Sequence, residues 1–244
     1  MKIVTVNIEG SNHLDRVSKF LADENPDVVC MQEVYKVDLS RFEQELNMRA
    51  YYAPISNIDR DWPRFPGKGT EGVAIFARDY SDTETMYYVK PDQEVPVYDG
   101  SIEGAKNALI AVRCSHEGHM YDISTTHFTW SQEGKKSEKQ EKDMIALLAC
   151  LEHRQPDIVC GDFNAPVGGE IRAMLTAVYK ENIPADVKTS IDNELHDDGR
   201  KIPGGIQLVV DGMFSSDRVT VSNVRVVSGV SDHCAVVAEV DNQG

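Results

Sequence analysis

The chain has 244 residues and a formal net charge of −15 at pH 7. This length allows one large domain or two small ones with a substantial core, and no apolar run approaches the length of a membrane span. The acidic balance argues against a protein that holds a nucleic-acid backbone through a basic face, which weakens the case for a long nucleic-acid substrate without removing it. An acidic excess also fits a cation site.

The cysteines and the first residues indicate the compartment. Five cysteines, an odd number at irregular spacing and mostly beside apolar residues, are typical of reduced core thiols. The apolar part of the opening run MKIVTVNIEG is too short for a signal peptide, because polar residues follow after a few positions. We therefore expect a cytoplasmic protein without a membrane span. We also expect a monomer.

The first half of the chain alternates short apolar runs with helical patterns. Strands are predicted at 2–6 and 26–34, each followed by a helix, at 12–23 and near 38–48. Asn12 is the predicted cap of the first helix. The segment 51–71 contains three prolines and two glycines, and we expect it to be irregular.

The second half is richer in strands. They are predicted at 72–77, 84–89, 107–114, 120–127, 156–164, 207–214, 219–227 and 234–240, with helices at 138–153 and 169–181 and a long loop at 186–206. The strands do not alternate regularly with helices. This favours an α/β fold of two packed sheets flanked by helices, in one domain spanning 1–244, over a single doubly wound sheet.

Polar residues follow or begin many of the buried strands. They are Asn7, Glu9, Gln32, Glu33, His127, Asp162, Asn164, Asp211, Asp232 and His233. Each alone is typical of a turn former, a cap or a surface residue. Together they predict one site, because strand ends in layered folds tend to meet at one rim.

The chemistry of this set points to a phosphate ester. The carboxylates are hard oxygen donors that suit Mg²⁺ or Mn²⁺. His233 beside Asp211 offers a general base oriented by a carboxylate, and His127 is a possible second donor. Oxygen-held metal, an oriented histidine and amide donors are suited to hydrolysis of a phosphoester.

The order of these residues resembles a known superfamily. Asn7, Gln32–Glu33, Thr126–His127, Gly161–Asp162–Phe163–Asn164, Asp211 and Ser231–Asp232–His233 are similar to the motifs of the endonuclease/exonuclease/phosphatase superfamily, which includes DNase-like and exonuclease III-like enzymes. The resemblance covers nearly the whole chain. It implies a four-layer α/β/β/α sandwich of two mixed β-sheets flanked by helices, with the site on one rim.

The resemblance also implies roles. The metal ligands would be Glu33, Asn7, Glu9, Asp232 and Asp162, and the catalytic residues would be His233, Asp211, His127, Asp162, Asn164 and Asn7. Glu71 is a weaker candidate, either as a carboxylate pairing with His127 or as a solvated charge at a strand start.

The substrate is less constrained, because one fold and motif set serves many branches. Aromatic and basic residues in the predicted loops, which can stack on bases or hold phosphates, are Arg60, Trp62, Arg64, Trp130 and Arg200. Ordinary surface or anchoring roles fit them equally well. Three functions remain open: a Mg²⁺-dependent phosphodiesterase acting on a nucleic acid or nucleotide, a phosphatase for a small or lipid-linked phosphoester, and a non-catalytic binding protein.

Overall fold

The strands and helices are defined for most of the chain. The computed structural model describes residues 1–60, 69–90, 92–100 and 105–243. The strands are β1 (Lys2–Asn7), β2 (Val28–Tyr35), β3 (Arg49–Ile58), β4 (Gly69–Ala77), β5 (Tyr80–Val89), β6 (Asn107–His116), β7 (His119–His127), β8 (Ile158–Asp162), β9 (Lys180–Glu181), β10 (Asp211–Ser215), β11 (Val219–Val227) and β12 (Ala235–Asn242). The helices are α1 (Leu14–Glu24), α2 (Leu39–Leu46), α3 (Glu138–Arg154) and α4 (Glu170–Thr176).

The strands form two six-stranded sheets. The first has the order β11-β12-β1-β2-β4-β3, and the second has the order β5-β6-β7-β8-β10-β9. Each sheet is mixed, because β1 and β2 pair in parallel, as do β7 and β8, while the other pairs are antiparallel. The predicted two mixed sheets are therefore confirmed.

Three apolar layers hold the four structural layers together. The central layer fills the space between the sheets, with Ile3 and Ile75 from one side and Ile110 and Ile158 from the other. A second layer packs α1 and α2 on the first sheet, and a third packs α3 and α4 on the second. Burial of this apolar surface provides the main stabilisation of the α/β/β/α sandwich. No helix in the described ranges has the length and apolar character needed to cross a membrane.

One edge of the sandwich gathers the polar strand ends. The carboxyl ends of β1, β2, β7 and β8 lie there, because each pair runs in parallel. The amino ends of β10 and β12 lie there as well, because β10 is antiparallel to β8 and β12 is antiparallel to β1. We call this edge the rim.

Four predictions of local structure were wrong. The segment expected to be irregular from residue 51 contains most of β3, whose Pro54 is tolerated because β3 is an edge strand and needs fewer backbone donors. Its residues 61–68 lie outside the described part of the chain. The last predicted helix ends early, at Thr176, and residues 180–181 pair instead with β10.

The other two differences are smaller. Strand β10 begins at Asp211 and not at 207, because the carbonyls of Leu208, Val209 and Val210 accept hydrogen bonds from loop residues. Helix α1 begins after His13, and no side chain caps it, so Asn12 is not the cap.

Candidate active site

Asn7 joins the two sheets at the centre of the rim. Its Nδ2 donates to Glu33 Oε1 at 3.1 Å and to Asp162 Oδ2 at 3.2 Å. Its Oδ1 accepts from the backbone N–H of Glu9 at 3.1 Å. An amide at the end of β1 thus holds one carboxylate of each sheet at hydrogen-bonding distance.

Irregular backbone directs these side chains toward the rim. Glu33 has a φ of 56° and lies at a β-bulge between Met31 and Val34, where β2 changes its register against β4. Bulges commonly re-aim a side chain near a functional site. At Gly161, with a φ of 140°, an added Cβ would lie 2.1 Å from the Thr126 carbonyl oxygen, so only glycine allows β8 to approach β7 there.

Asp211 and His233 form a buried pair. His233 Nδ1 lies 2.9 Å from Asp211 Oδ2, and His233 Nε2 lies 3.8 Å from Asp162 Oδ2. The Ser190 hydroxyl accepts hydrogen bonds from the backbone N–H groups of Val210 and Asp211. These two hydrogen bonds fix the start of β10. The imidazole is therefore oriented by one carboxylate and faces another.

His127 faces the same carboxylates from β7. Its Nε2 lies 3.7 Å from Glu33 Oε1 and 3.6 Å from Asp162 Oδ2. The parallel register that pairs His127 with Asp162 places both at the rim. Two imidazoles therefore flank Asp162, a carboxylate that is almost fully buried.

Burial and mutual repulsion perturb the ionisation of these groups. Burial, reinforced by the charge of Asp232, raises the pKa of Glu33 to about 8. Burial also raises the pKa values of Asp211 and Asp232. Burial alone lowers the pKa of His233, but the charges of Asp211 and Asp162 outweigh it and hold that pKa well above its usual range. Such concentrated perturbation is typical of functional sites.

The donor set fits a divalent cation. Ligand atoms of Asp162, Asp211 and His233 all lie within 4.8 Å of one another, and Asn7 Nδ2 links Asp162 to Glu33. Several buried carboxylates at one place repel each other and are costly to ionise unless a positive charge compensates them. Carboxylate and amide oxygens are the ligands that Mg²⁺ and Mn²⁺ prefer.

Asp232 and Glu9 are two further carboxylates of the site. Asp232 accepts a hydrogen bond from the Ser231 hydroxyl at 3.1 Å, and its charge acts on Glu33. Glu9 Oε2 lies 3.0 Å from His13 Nε2, so this carboxylate already has a partner. The charge of Glu9 contributes to the raised pKa of Asp232.

Asn164 is held rigidly beside Asp162. Its backbone N–H donates to Asp162 Oδ1 at 2.8 Å, and its Nδ2 donates to the Phe128 carbonyl at 3.0 Å. Gln140, a buried residue of α3, donates hydrogen bonds to the carbonyls of Asn164 and Thr129. Within the described part of the chain, the Asn164 side chain retains one amide hydrogen and its carbonyl oxygen for other contacts.

Glu71 is buried and not a solvated charge. It lies in β4, and burial together with the charge of Glu33 raises its pKa to about 8. The charge of His127 acts on it, yet among the described residues no direct ion pair joins the two.

The substrate-binding candidates are more dispersed. Trp130 is 45% exposed, three residues beyond His127. Arg60 is exposed, and Arg200 is exposed and paired with Asp197. Trp62 and Arg64 lie outside the described residues.

Sequence reasoning missed the residue that supports the Asp211 strand. Arg172 of α4 is buried, donates to the carbonyls of Val210 and Asp211, and forms an ion pair with Glu181 at 2.8 Å. Its position on the helix face shared with Leu175 was a possible signal, but arginine is expected at the surface unless a partner is known.

The chain is similar in sequence and in structure to known proteins. Residues 4–233 match the model of the endonuclease/exonuclease/phosphatase family. No curated protein matches the sequence. The structure of an endonuclease/exonuclease/phosphatase from Bacteroides vulgatus is 20% identical in sequence and matches with a TM-score of 0.71. The match covers 99% of this chain and 98% of the Bacteroides vulgatus chain.

Two further structures share the fold. A mannosyl-6-phosphatase of Bacteroides thetaiotaomicron is 13% identical with a TM-score of 0.70, covering 99% of both chains. The human Nocturnin catalytic domain is 17% identical and matches with a TM-score of 0.67. The match covers 100% of this chain and 93% of the Nocturnin chain. With the family match over nearly the whole length, the chain belongs to the endonuclease/exonuclease/phosphatase family, whose members are hydrolytic phosphoesterases.

Proposed function

We propose that this enzyme is a Mg²⁺- or Mn²⁺-dependent phosphodiesterase that acts on a nucleic acid or nucleotide by in-line attack of water on phosphorus. The observation that carries the proposal is the buried Asp211–His233 pair, whose second imidazole nitrogen, Nε2, faces Asp162 Oδ2 at 3.8 Å. An oriented imidazole beside a buried carboxylate set is suited to activating a water molecule.

Each residue of the site has its own role in the proposed hydrolysis. Asp211 holds the His233 ring and stabilises the imidazolium that forms when His233 accepts a proton from water. Asn164 and His127 offer N–H donors to the phosphoryl oxygens on which charge develops. Asn7 keeps Glu33 and Asp162 at a fixed distance, because its Nδ2 donates to both.

The cation would be held by Glu33, Asp162 and Asp232, with Asn7 and Glu9 beside them. When bound, it polarises the phosphoryl group and offsets the carboxylate charges that raise the pKa of His233. Offsetting those charges favours the neutral imidazole, which is the form that can accept a proton.

A small or lipid-linked phosphoester is the second candidate, and the charges near the rim favour it. Five basic residues after Trp130 and in the 186–206 loop are paired with carboxylates: Lys135–Glu133, Lys136–Glu170, Lys139–Asp143, Arg200–Asp197 and Lys201–Asp198. Paired cations attract a polyanion weakly. A structural relative that is a mannosyl-6-phosphatase is consistent with this alternative.

A substrate panel tests the proposal. Single- and double-stranded DNA, RNA, sugar and inositol phosphates and bis-p-nitrophenyl phosphate are each incubated with Mg²⁺ and with chelator. We expect metal-dependent turnover that salt inhibits steeply if the substrate is a polymer and weakly if it is small. No turnover and no metal binding would favour a non-catalytic binding protein, and full activity of His233→Ala would overturn the assigned roles.

We further propose that the enzyme works as one domain of residues 1–244, as a monomer, in the cytoplasm. Five free cysteines are consistent with a reducing compartment. Size-exclusion chromatography with light scattering tests the monomer.

A further inference from the structure

The Gln32 side chain bridges the two sheets directly beneath the rim. Its Nε2 donates to Thr5 Oγ1 of the first sheet at 3.2 Å and to Thr125 Oγ1 of the second at 3.0 Å. All three side chains are buried within the layer between the sheets. Most of that layer is aliphatic, so this polar bridge is an exception within it.

Each end of the bridge lies just below a residue of the site. Thr5 precedes Asn7 by two residues on β1, Gln32 precedes Glu33 on β2, and Thr125 precedes His127 by two residues on β7. The Thr125 hydroxyl also donates to the Cys160 carbonyl at 2.9 Å, two residues before Asp162 on β8. One hydrogen-bonded chain therefore connects the four strands that supply Asn7, Glu33, His127 and Asp162.

Stability alone does not explain the amide. Gln32 Oε1 is buried without a hydrogen-bond partner among the described residues. A buried acceptor without a partner is destabilising, whereas an apolar side chain of similar length would pack against the surrounding aliphatic layer. The amide is better explained by the geometry it imposes, since hydrogen bonds fix a distance and an orientation that apolar contacts leave adjustable.

We propose that Gln32 is a positioning residue that sets the separation of Glu33 on one sheet from His127 and Asp162 on the other, and thereby tunes the affinity of the site for a divalent cation. This inference rests on the proposed function, because it assumes that these carboxylates hold a metal. It assigns Gln32 no contact with the substrate. Residues that orient metal ligands commonly change metal affinity by about 10- to 100-fold when they are replaced.

The test is a titration with Mn²⁺, followed by the electron paramagnetic resonance of the free ion, which does not require turnover. We expect Gln32→Met to weaken Mn²⁺ binding by about tenfold or more. We expect the melting temperature of Gln32→Met without metal to change little, because removal of the unpaired Oε1 offsets the loss of the hydrogen bonds to Thr5 and Thr125. A residue with only a structural role would lower the melting temperature and leave the affinity of the folded protein unchanged.

Two controls separate positioning from general loosening of the core. Val28→Ala removes an apolar side chain from the same face of β2, farther from the rim, and should lower the melting temperature without weakening Mn²⁺ binding. Thr125→Val should weaken Mn²⁺ binding, whereas Thr125→Ser, which keeps the hydroxyl, should not. This pair of variants also decides the matter if Gln32→Met does not fold.

The outcomes distinguish this inference from the proposed function. Wild-type affinity in both Gln32→Met and Thr125→Val would overturn the positioning role. A wild-type protein that binds Mn²⁺ but hydrolyses none of the phosphoesters would contradict the proposed function, and the variants would still test the positioning role. A wild-type protein that binds no Mn²⁺ would overturn both.

Discussion

His233 Nδ1 and Asp211 Oδ2 lie 2.9 Å apart although the strands next to them in the chain belong to different sheets. Asp211 begins β10 of the second sheet, whereas His233 comes just before β12 of the first. Both are buried, so the carboxylate depends on the imidazole for charge compensation. The pair therefore forms only when the two sheets are packed, which ties the orientation of the ring to the fold.

Replacing the orienting carboxylate should affect turnover more than stability. We expect Asp211→Asn to lower kcat by about 10²- to 10⁴-fold, because the amide no longer selects the tautomer or stabilises the imidazolium. Steady-state hydrolysis of bis-p-nitrophenyl phosphate measures it. The control is Asp157→Asn. Asp157 is a buried carboxylate just before the first residue of β8, far from the rim, and it accepts hydrogen bonds from Arg218 and from the Asp122 backbone N–H. This variant should lower the melting temperature and leave kcat unchanged. Equal effects on kcat in the two variants would contradict this role of Asp211.

Removing one carboxylate should weaken the response to metal. We expect Glu33→Gln to raise the Mg²⁺ concentration for half-maximal activity by about tenfold or more, since an amide is a weaker ligand than a carboxylate. Chelator should abolish wild-type turnover, and added Mg²⁺ should restore it. Activity measured against Mg²⁺ concentration checks both, and an unchanged half-maximal concentration would rule out Glu33 as a ligand.

The metal-free protein should lose stability as the pH rises. Burial raises the pKa values of Glu33 and Glu71 from 4.5 to about 8. Between these values the unfolded chain has already released protons that the folded chain retains, so the free energy of unfolding decreases as the pH rises from about 5 to about 8. Urea unfolding in the presence of chelator measures this decrease, which we expect to be on the order of several kcal/mol in total.

Two comparisons check the origin of that decrease. Glu71→Gln should reduce the pH dependence, because one of the two carboxyls no longer titrates. Mg²⁺ should stabilise the protein more at pH 8 than at pH 5, since binding requires ionised carboxylates. Stability that increases with pH in this range would show that these carboxyls are already ionised in the folded protein.

Arg172 should be important for stability. Its guanidinium is buried against the Phe163 and Phe214 rings and binds Glu181. We expect Arg172→Met to lower the free energy of unfolding by about 3–5 kcal/mol. The variant leaves Glu181 without its ion pair and the Val210 and Asp211 carbonyls without their donor. Arg172→Lys should not restore the loss, since an ammonium group cannot reproduce the forked contacts. Glu170→Gln, at an exposed position of the same helix, should change stability by about 0.5 kcal/mol or less; chemical denaturation checks all three variants.

Trp130 should distinguish the two candidate substrate classes. If its ring stacks on a base, Trp130→Ala should raise KM for a nucleotide substrate by about tenfold and leave kcat and the melting temperature nearly unchanged. Met120→Ala, which removes an exposed apolar side chain near the other end of β7, is the control and should change neither. A change in KM for a sugar phosphate, with none for a nucleotide, would favour the second candidate.

The sequence by itself determined the class of fold and the content of the site. Apolar runs that end in Asn7, Glu33 or Asp162 predict buried strands with polar ends, because the apolar character of a run and the polarity of its last residues are local properties of the sequence. The predicted strand boundaries differ from the structure where a proline is tolerated by its place in the sheet, as Pro54 is in the edge strand β3.

Only the tertiary structure decided which polar groups meet. Asn7 and Asp162 are separated by 155 residues, and their contact depends on the packing of two sheets. The same holds for the bridge from Gln32 to Thr125 and for the contact between Arg172 and the Asp211 carbonyl. A local pattern shows that a side chain is buried, but its partner depends on strand order, register and sheet packing, which arise from contacts between distant parts of the chain.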